Sequence, residues 1–122
     1  YNSSPFFEYY ADDIELFFRK KHEFLFDFNQ QIVETIVELL EIEANFIFTE
    51  DFEKIPDTCL NFREQISPKL HLIKPDRHFE ARPYTQVFSE KFGFIPNLSI
   101  LDLLFNEGPS AGEILRNCFM ER

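Results

Sequence analysis

Four polar side chains, Asn97, Ser99, Asp102 and Asn106, punctuate an otherwise apolar run that includes Leu98, Ile100, Leu101, Leu103, Leu104 and Phe105. On a helix Ser99 and Asp102 lie three apart and Asp102 and Asn106 four apart, so these three share one stripe. Polar groups among so many apolar neighbours are costly unless hydrogen-bonded, which leaves two uses for them. In one, Asp102 is an acid, a base or an acceptor for a substrate hydroxyl, with Ser99 and Asn106 positioning the ligand. In the other, Asn97 caps the helix, Ser99 and Asp102 tie down its first turns, and Asn106 takes a left-handed conformation at its end. Upstream, Tyr84-Thr85-Gln86 puts a phenol and an amide on one side of an extended segment, a pair suited to reading a sugar hydroxyl or an amide.

The other chemistry-bearing residues are less ordered in their spacing. His22, His71 and His78 have no cysteine or acidic partner at a zinc-like interval and read as surface or loop residues. Lys74, Arg77 and Arg82 could gather around a carboxylate or phosphate, although a solvated loop accounts for them better. Glu50, Asp51 and Glu53 read as solvent-facing. Gly93 and Gly108 are too isolated to cradle a phosphate; Gly93 fits a turn with positive φ and Gly108 a loop residue before Pro109. Cys59 and Cys118 are too few for a disulfide framework and read as reduced thiols.

The elements that must position these groups are mostly helical. Ser4-Pro5 can open a short helix reaching about Tyr10, and Asp12 or Asp13 can cap a longer one carrying Ile14, Phe17 and Phe18. The polar run Arg19 to Glu23 predicts a kink or break between Lys21 and Asn29. A second helix follows through Val33, Ile36, Val37 and Leu40, with apolar residues on more than one face, which predicts burial on two sides. Residues Asn45 to Thr49 read as a short strand that needs a partner in this chain, in an absent part of the protein or in a second copy. Pro56, Pro68 and Pro75 predict loops, with one short helix around Leu60 to Ile66. Phe79 to Val87 reads as an edge or extended connector because of Pro83. Helices are predicted over Leu98 to Phe105 and over Ser110 to about Phe119, the latter with Ser110 and Glu113 in a capping box.

The 122 residues make one domain and can bury a substantial core. Seventeen phenylalanines without a tryptophan imply either an aromatic-rich core or an apolar surface that meets another protein segment. A formal net charge of −10 argues against nucleic acid as a partner. It equally disfavours anionic membranes, and no apolar run approaches the roughly 20 residues that span a bilayer. The expected setting is cytoplasmic.

The block from Phe94 to Gly108, preceded by Tyr84-x-Gln86, resembles the C-terminal part of the WbqC-like protein family, in which an aromatic-x-Gln element precedes a Phe-Ile-Pro-Asn-Leu-Ser-Ile-Leu-Asp-Leu-Leu-Phe-Asn-x-Gly block. The family often has proline between the aromatic residue and the glutamine, where this chain has Thr85. The resemblance implies that residues 1–122 are a C-terminal portion whose N-terminal part is missing and would be one of its partners. Family members are similar to proteins found among O-antigen and other cell-surface polysaccharide functions of bacteria. Hence a cytoplasmic transferase of polysaccharide biosynthesis is expected, with Asp102 catalytic and Tyr84, Gln86, Asn97, Ser99 and Asn106 binding a sugar-containing substrate. Neither a metal nor a particular cofactor is implied. The alternative is a non-catalytic helical module in which Phe24, Phe26 and Phe28 form an inter-domain or homodimer surface. Both readings share one fold expectation, a mainly α, compact helical domain with one or two short β-strands.

Overall fold

The computed structural model describes residues 1–52, 54, 59–63, 66–67, 69 and 76–120. Its helices are α1 (Phe7–Arg19), α2 (Leu25–Leu39), the single turn α3 (Ser89–Phe92), α4 (Ile100–Glu107) and α5 (Ala111–Asn117), with a 3₁₀ turn at Gly108–Ser110 joining the last two. The mainly helical fold therefore stands. Pairing between extended segments is nearly absent: among the described residues it consists of one antiparallel bridge between Phe79 and Phe119.

Helix α4 is the centre of the molecule. Asp102, Leu103, Leu104, Phe105 and Asn106 are all buried, so the helix is enclosed on every side rather than lying on a surface. Around it pack Tyr10 of α1, Leu40 at the end of α2 and Ala111 of α5, with Phe6, Phe7, Ile14, Ile36, Leu39, Ile114 and Leu115 at the margin. The N-terminal segment is tied to α4 directly, because the amide of Phe6 donates to the carbonyl of Phe105 at 2.9 Å.

Helix α1 runs unbroken through Asp12 and Asp13, which corrects the expected division into two helices. Phe7, Tyr10 and Ile14 fall on one face at helical spacing and meet the core together, and that burial outweighs the capping tendency of the two aspartates. The break after Arg19 occurs as expected. His22 sits in it against the rings of Phe17 and Phe28, its centroid 4.5 Å from that of Phe28.

Helix α2 departs from expectation in its burial. Only Ile36 and Leu39 reach the core margin, no residue between Leu25 and Leu39 is fully buried, and Val33 is 44% exposed. Its second apolar face has no cover among the described residues. The helix ends in a Schellman arrangement: the amide of Ile42 donates to the carbonyl of Val37 and that of Glu41 to the carbonyl of Glu38. Glu41 takes the left-handed position usually given to glycine, with φ of 55°.

Three further expectations are corrected. Residues 43–49 run without regular structure and pair with no described residue, so the strand predicted at Asn45 to Thr49 is not formed; among the described residues no edge lies beside it. Ser110 makes no capping bond and lies in the 3₁₀ turn with helical dihedrals, because Gly108 and Pro109 lead directly into α5 without an extended cap residue. Gly108 is more than a loop residue: it closes α4 with φ of 54°, and a β-carbon there would stand 2.6 Å from the ring of Phe6. The short helix expected around Leu60 to Ile66 falls partly outside the described residues, as do His71 and Lys74.

The accessible surface is 10498 Å². Part of it is apolar: Phe18, Phe24, Leu25, Phe26, Ile47 and Phe88 are each more than half exposed. The aromatic excess of the sequence thus goes only partly into the core.

Candidate functional site

The segment from Phe79 to Gln86 is extended and crosses the face of α5 before reaching α4. Its amides find partners in the end of α5, with Glu80 donating to the carbonyl of Cys118 at 2.8 Å and Arg82 to the Cys118 sulfur at 3.4 Å. Proline at 83 offers no amide and the ladder stops. Tyr84 and Gln86 then project to the same side, as their period-two spacing predicts, and that side is the buried start of α4.

There the carboxylate of Asp102 gathers three donors. Tyr84 Oη donates to Oδ2 at 2.6 Å, Gln86 Nε2 to Oδ2 at 3.3 Å, and Asn106 Nδ2 to Oδ1 at 3.3 Å. Asn106 Nδ2 also reaches the backbone carbonyl of Asp102, at 2.8 Å. Asp102 lies in the first turn of α4, where the helix dipole favours a negative charge. Asp102 is 6% exposed, and its carboxylate is satisfied by side chains from three positions of the chain.

Gln86 serves two partners at once. Its Oε1 accepts from the amide of Ile95 at 2.9 Å and its Nε2 donates to the carbonyl of Ile95 at 2.8 Å, so the side chain imitates a paired strand and pins the loop of Gly93 to Asn97. Gly93 adopts positive φ at the end of α3, as the sequence predicts.

Tyr84 is the half-buried member of the cluster. Burial first, and then its hydrogen bond to Asp102, push its phenol up to about 12, against a smaller opposing effect of Gln86. The phenol of Tyr1 is also raised, by partial burial and by the negative charge of Asp102. At neutral pH Tyr84 is therefore a committed proton donor facing an acceptor.

The six residues singled out from the sequence do not all meet. Tyr84, Gln86, Asp102 and Asn106 form one hydrogen-bonded unit. Ser99 belongs to its edge: it caps α4 by accepting from the Leu101 amide at 3.3 Å through Oγ, and its carbonyl accepts from the Asp102 amide at 2.9 Å. Asn97 is exposed and two residues short of the cap, held at φ of 59°, which corrects its assignment as cap; Ser99 has the extended backbone a cap requires. Asn106 sits inside α4 rather than at a left-handed end, since Gly108 takes that conformation more cheaply.

Beside the cluster lies a shallow, open depression lined by Pro83, Tyr84, Thr85, Ser89, Glu107 and Ile114. Tyr84 reaches it and Asp102 does not. Glu107 accepts from the Thr85 amide at 3.0 Å, and Ser89 Oγ donates to the Gln86 carbonyl at 2.8 Å. Neither was legible beforehand. Glu107 is distinguished in the sequence only by its place beside Asn106, and Ser89 by nothing at all.

A model of the WbqC-like protein family matches residues 1–74 and residues 64–114. The chain belongs to this family. The match includes the whole of the Tyr84–Asp102 cluster, so the WbqC-like resemblance and the hydrogen-bonded unit fall on the same residues. No curated protein and no solved structure matches the chain. Among the described residues of this WbqC-like chain, no group of three histidine, cysteine, aspartate or glutamate side chains is placed to hold a metal ion. No described helix is long and apolar enough to cross a membrane. Cys118 is buried and donates to the carbonyl of Ile114, Cys59 is exposed, and the two are not joined.

Proposed function

We propose that this WbqC-like chain contributes the acceptor site of a cytoplasmic group-transfer enzyme in cell-surface polysaccharide biosynthesis, and that Tyr84 is the residue that meets the acceptor sugar. The observation that carries the reading is the 2.6 Å bond from Tyr84 Oη to a buried, fully engaged carboxylate beside an open depression lined by hydroxyl, carboxylate and aromatic groups. A sugar hydroxyl resting on Tyr84 gives its proton to Oη while the phenolic proton passes to Oδ2 of Asp102, and the freed sugar oxygen bonds to the transferred group as that group's bond to its donor breaks, the electron pair leaving with the donor. Asp102 therefore works through Tyr84 without touching the sugar. Gln86 and Asn106 hold the carboxylate in place, and Ser99 fixes the turn that carries it.

The test is a titration of the isotope-labelled chain with a panel of free monosaccharides, followed through backbone amide shifts. The amides of Thr85, Ser89 and Glu107 should move with at least one sugar, and the movement should weaken in Tyr84→Phe. Silence of these amides toward every sugar at tens of millimolar would overturn the proposal.

The non-catalytic module remains as a second reading because Phe24 and Phe26 are 60% and 62% exposed. Phe28 does not join them: it is half-buried against Phe17 and His22. A flat face built on all three phenylalanines is thus not present, and any contact surface of α2 must be drawn elsewhere.

A further inference from the structure

Residues Ala44 to Thr49 leave the end of α2 without regular structure, and no backbone amide or carbonyl among them is hydrogen-bonded to the described residues. Side chains of this kind, Phe46, Ile47 and Phe48, favour a sheet, and Ile47 is 91% exposed. The segment is nevertheless held in place, because the ring of Phe48 packs edge-on against that of Phe26 at 5.6 Å. Alongside it runs a groove of about 470 Å³ with Val37, Ile42 and Phe46 as its apolar lining and Glu34, Glu38 and Glu43 among its polar residues. Unpaired backbone donors and acceptors beside a groove of mixed apolar and acidic lining are what an added strand can satisfy.

Charge identifies what can occupy it. Glu41 and Glu43 precede the segment and Glu50 and Asp51 follow it, and all four are exposed. Antiparallel pairing of the segment with itself about Ile47 would set Glu43 of one copy opposite Asp51 of the other, at both ends of the ribbon. Like charges directly opposite are destabilising. Two copies would also bring together chains of net charge −10 each. A strand with lysine or arginine at its ends meets the opposite condition at every one of these positions.

We propose that residues 44–49 form an edge for β-strand addition, and that the occupant is an apolar strand flanked by lysine or arginine from a polypeptide other than a second copy of this chain. The strand supplies the backbone partners, places alternate apolar side chains over Val37, Ile42 and Phe46, and sets its terminal cations against Glu43 and Asp51.

The probe is a synthetic peptide of alternating valine and threonine with two lysines at each end, added to the 122-residue chain and followed by amide hydrogen exchange and fluorescence anisotropy. The amides of residues 44–49 should become protected. Affinity should fall about tenfold when the lysines are replaced by glutamate, and also when alternate peptide nitrogens are methylated. Ile47→Pro removes an amide from the edge at a side chain that is almost wholly exposed, so it should abolish binding without lowering the melting temperature. Absence of protection at 44–49, indifference to peptide charge, or protection in the chain alone with dimers in sedimentation would each overturn the proposal, the last by identifying a second copy as the occupant.

Discussion

The hydroxyl of Tyr84 and the carboxylate of Asp102 meet at 2.6 Å across 18 positions of sequence, joining the extended connector to the central helix. This one bond makes the connector and α4 a single unit, because Gln86, two residues on, grips both Asp102 and the Ile95 backbone. Stability and proposed activity consequently draw on the same atoms. Variants that separate them must change proton affinity or charge while leaving shape intact.

The phenol of Tyr84 provides such a separation through pH. Its proton is held up to about 12 in the folded chain and ionises near 10.0 when unperturbed. Between these values the folded chain keeps a proton that the unfolded chain has released, so the contribution is intact below pH 10 and declines as pH rises toward 12. Urea unfolding at a series of alkaline pH values should show Tyr84→Phe to be less stable than the parent below pH 10 but flatter across this window. Tyr1 and Tyr10 are also raised, so the difference between the two curves, rather than either alone, reports Tyr84. In Asp102→Asn the phenolate absorbance of Tyr84 should appear at lower pH, though still above 10, because burial is the larger cause and remains.

Gln86 should be less replaceable than its reading as a side chain for a sugar hydroxyl or an amide implied. Gln86→Leu leaves the amide and carbonyl of Ile95 without partners in a part-buried loop, at a cost of roughly 2 to 3 kcal/mol. Gln86→Glu keeps an acceptor for the Ile95 amide but loses the donor and brings a second carboxylate to Asp102. Both should unfold at lower temperature, by roughly 6 °C or more. If Gln86→Glu matched the parent at neutral pH, the assignment of Nε2 as donor to Ile95 and Asp102 would be wrong.

How far these relationships were legible in the sequence varies with the range of the interaction. The phenol and amide of Tyr84 and Gln86 fell on one side because strand periodicity is local, and Asp102 and Asn106 met because helix spacing is local. The partner of each pair was not legible, since Ile95 contributes only backbone and Glu107 bonds a backbone amide. Capping was misread for the same reason: Asn97, Asp12, Asp13 and Ser110 all have side chains that can cap, and burial of Phe7, Tyr10, Leu104 and Ala111 decided where helices run. The strand at Asn45 to Thr49 was read from side chains that suit one, whereas a strand also needs an edge to pair with.

Glu41 offers a gain in stability. It occupies the left-handed position of the Schellman motif after α2, where a β-carbon costs roughly 1 kcal/mol. Its carbonyl receives a long 3.5 Å bond from Arg116, which any residue at this position retains. Glu41→Gly should therefore raise the melting temperature by roughly 3 to 6 °C, and Glu41→Asn by less. Glu41→Val should lower it, because a β-branched side chain suits this conformation least.

Gly108 should show the opposite behaviour, since both its conformation and its neighbours require the absence of a side chain. Its φ is 54°, and a β-carbon would stand 2.6 Å from two ring atoms of Phe6. The ring cannot simply move aside, because the amide of Phe6 is fixed to the Phe105 carbonyl at 2.9 Å and the same stretch leads into α1. Gly108→Ala should lose roughly 2 kcal/mol or more through left-handed strain and crowding together. If the crowding term is real, shrinking the ring in Phe6→Leu, destabilising by itself, should recover part of the loss in the double variant. Chemical denaturation of the four proteins gives the coupling directly, and strict additivity would mean that backbone conformation alone accounts for the glycine.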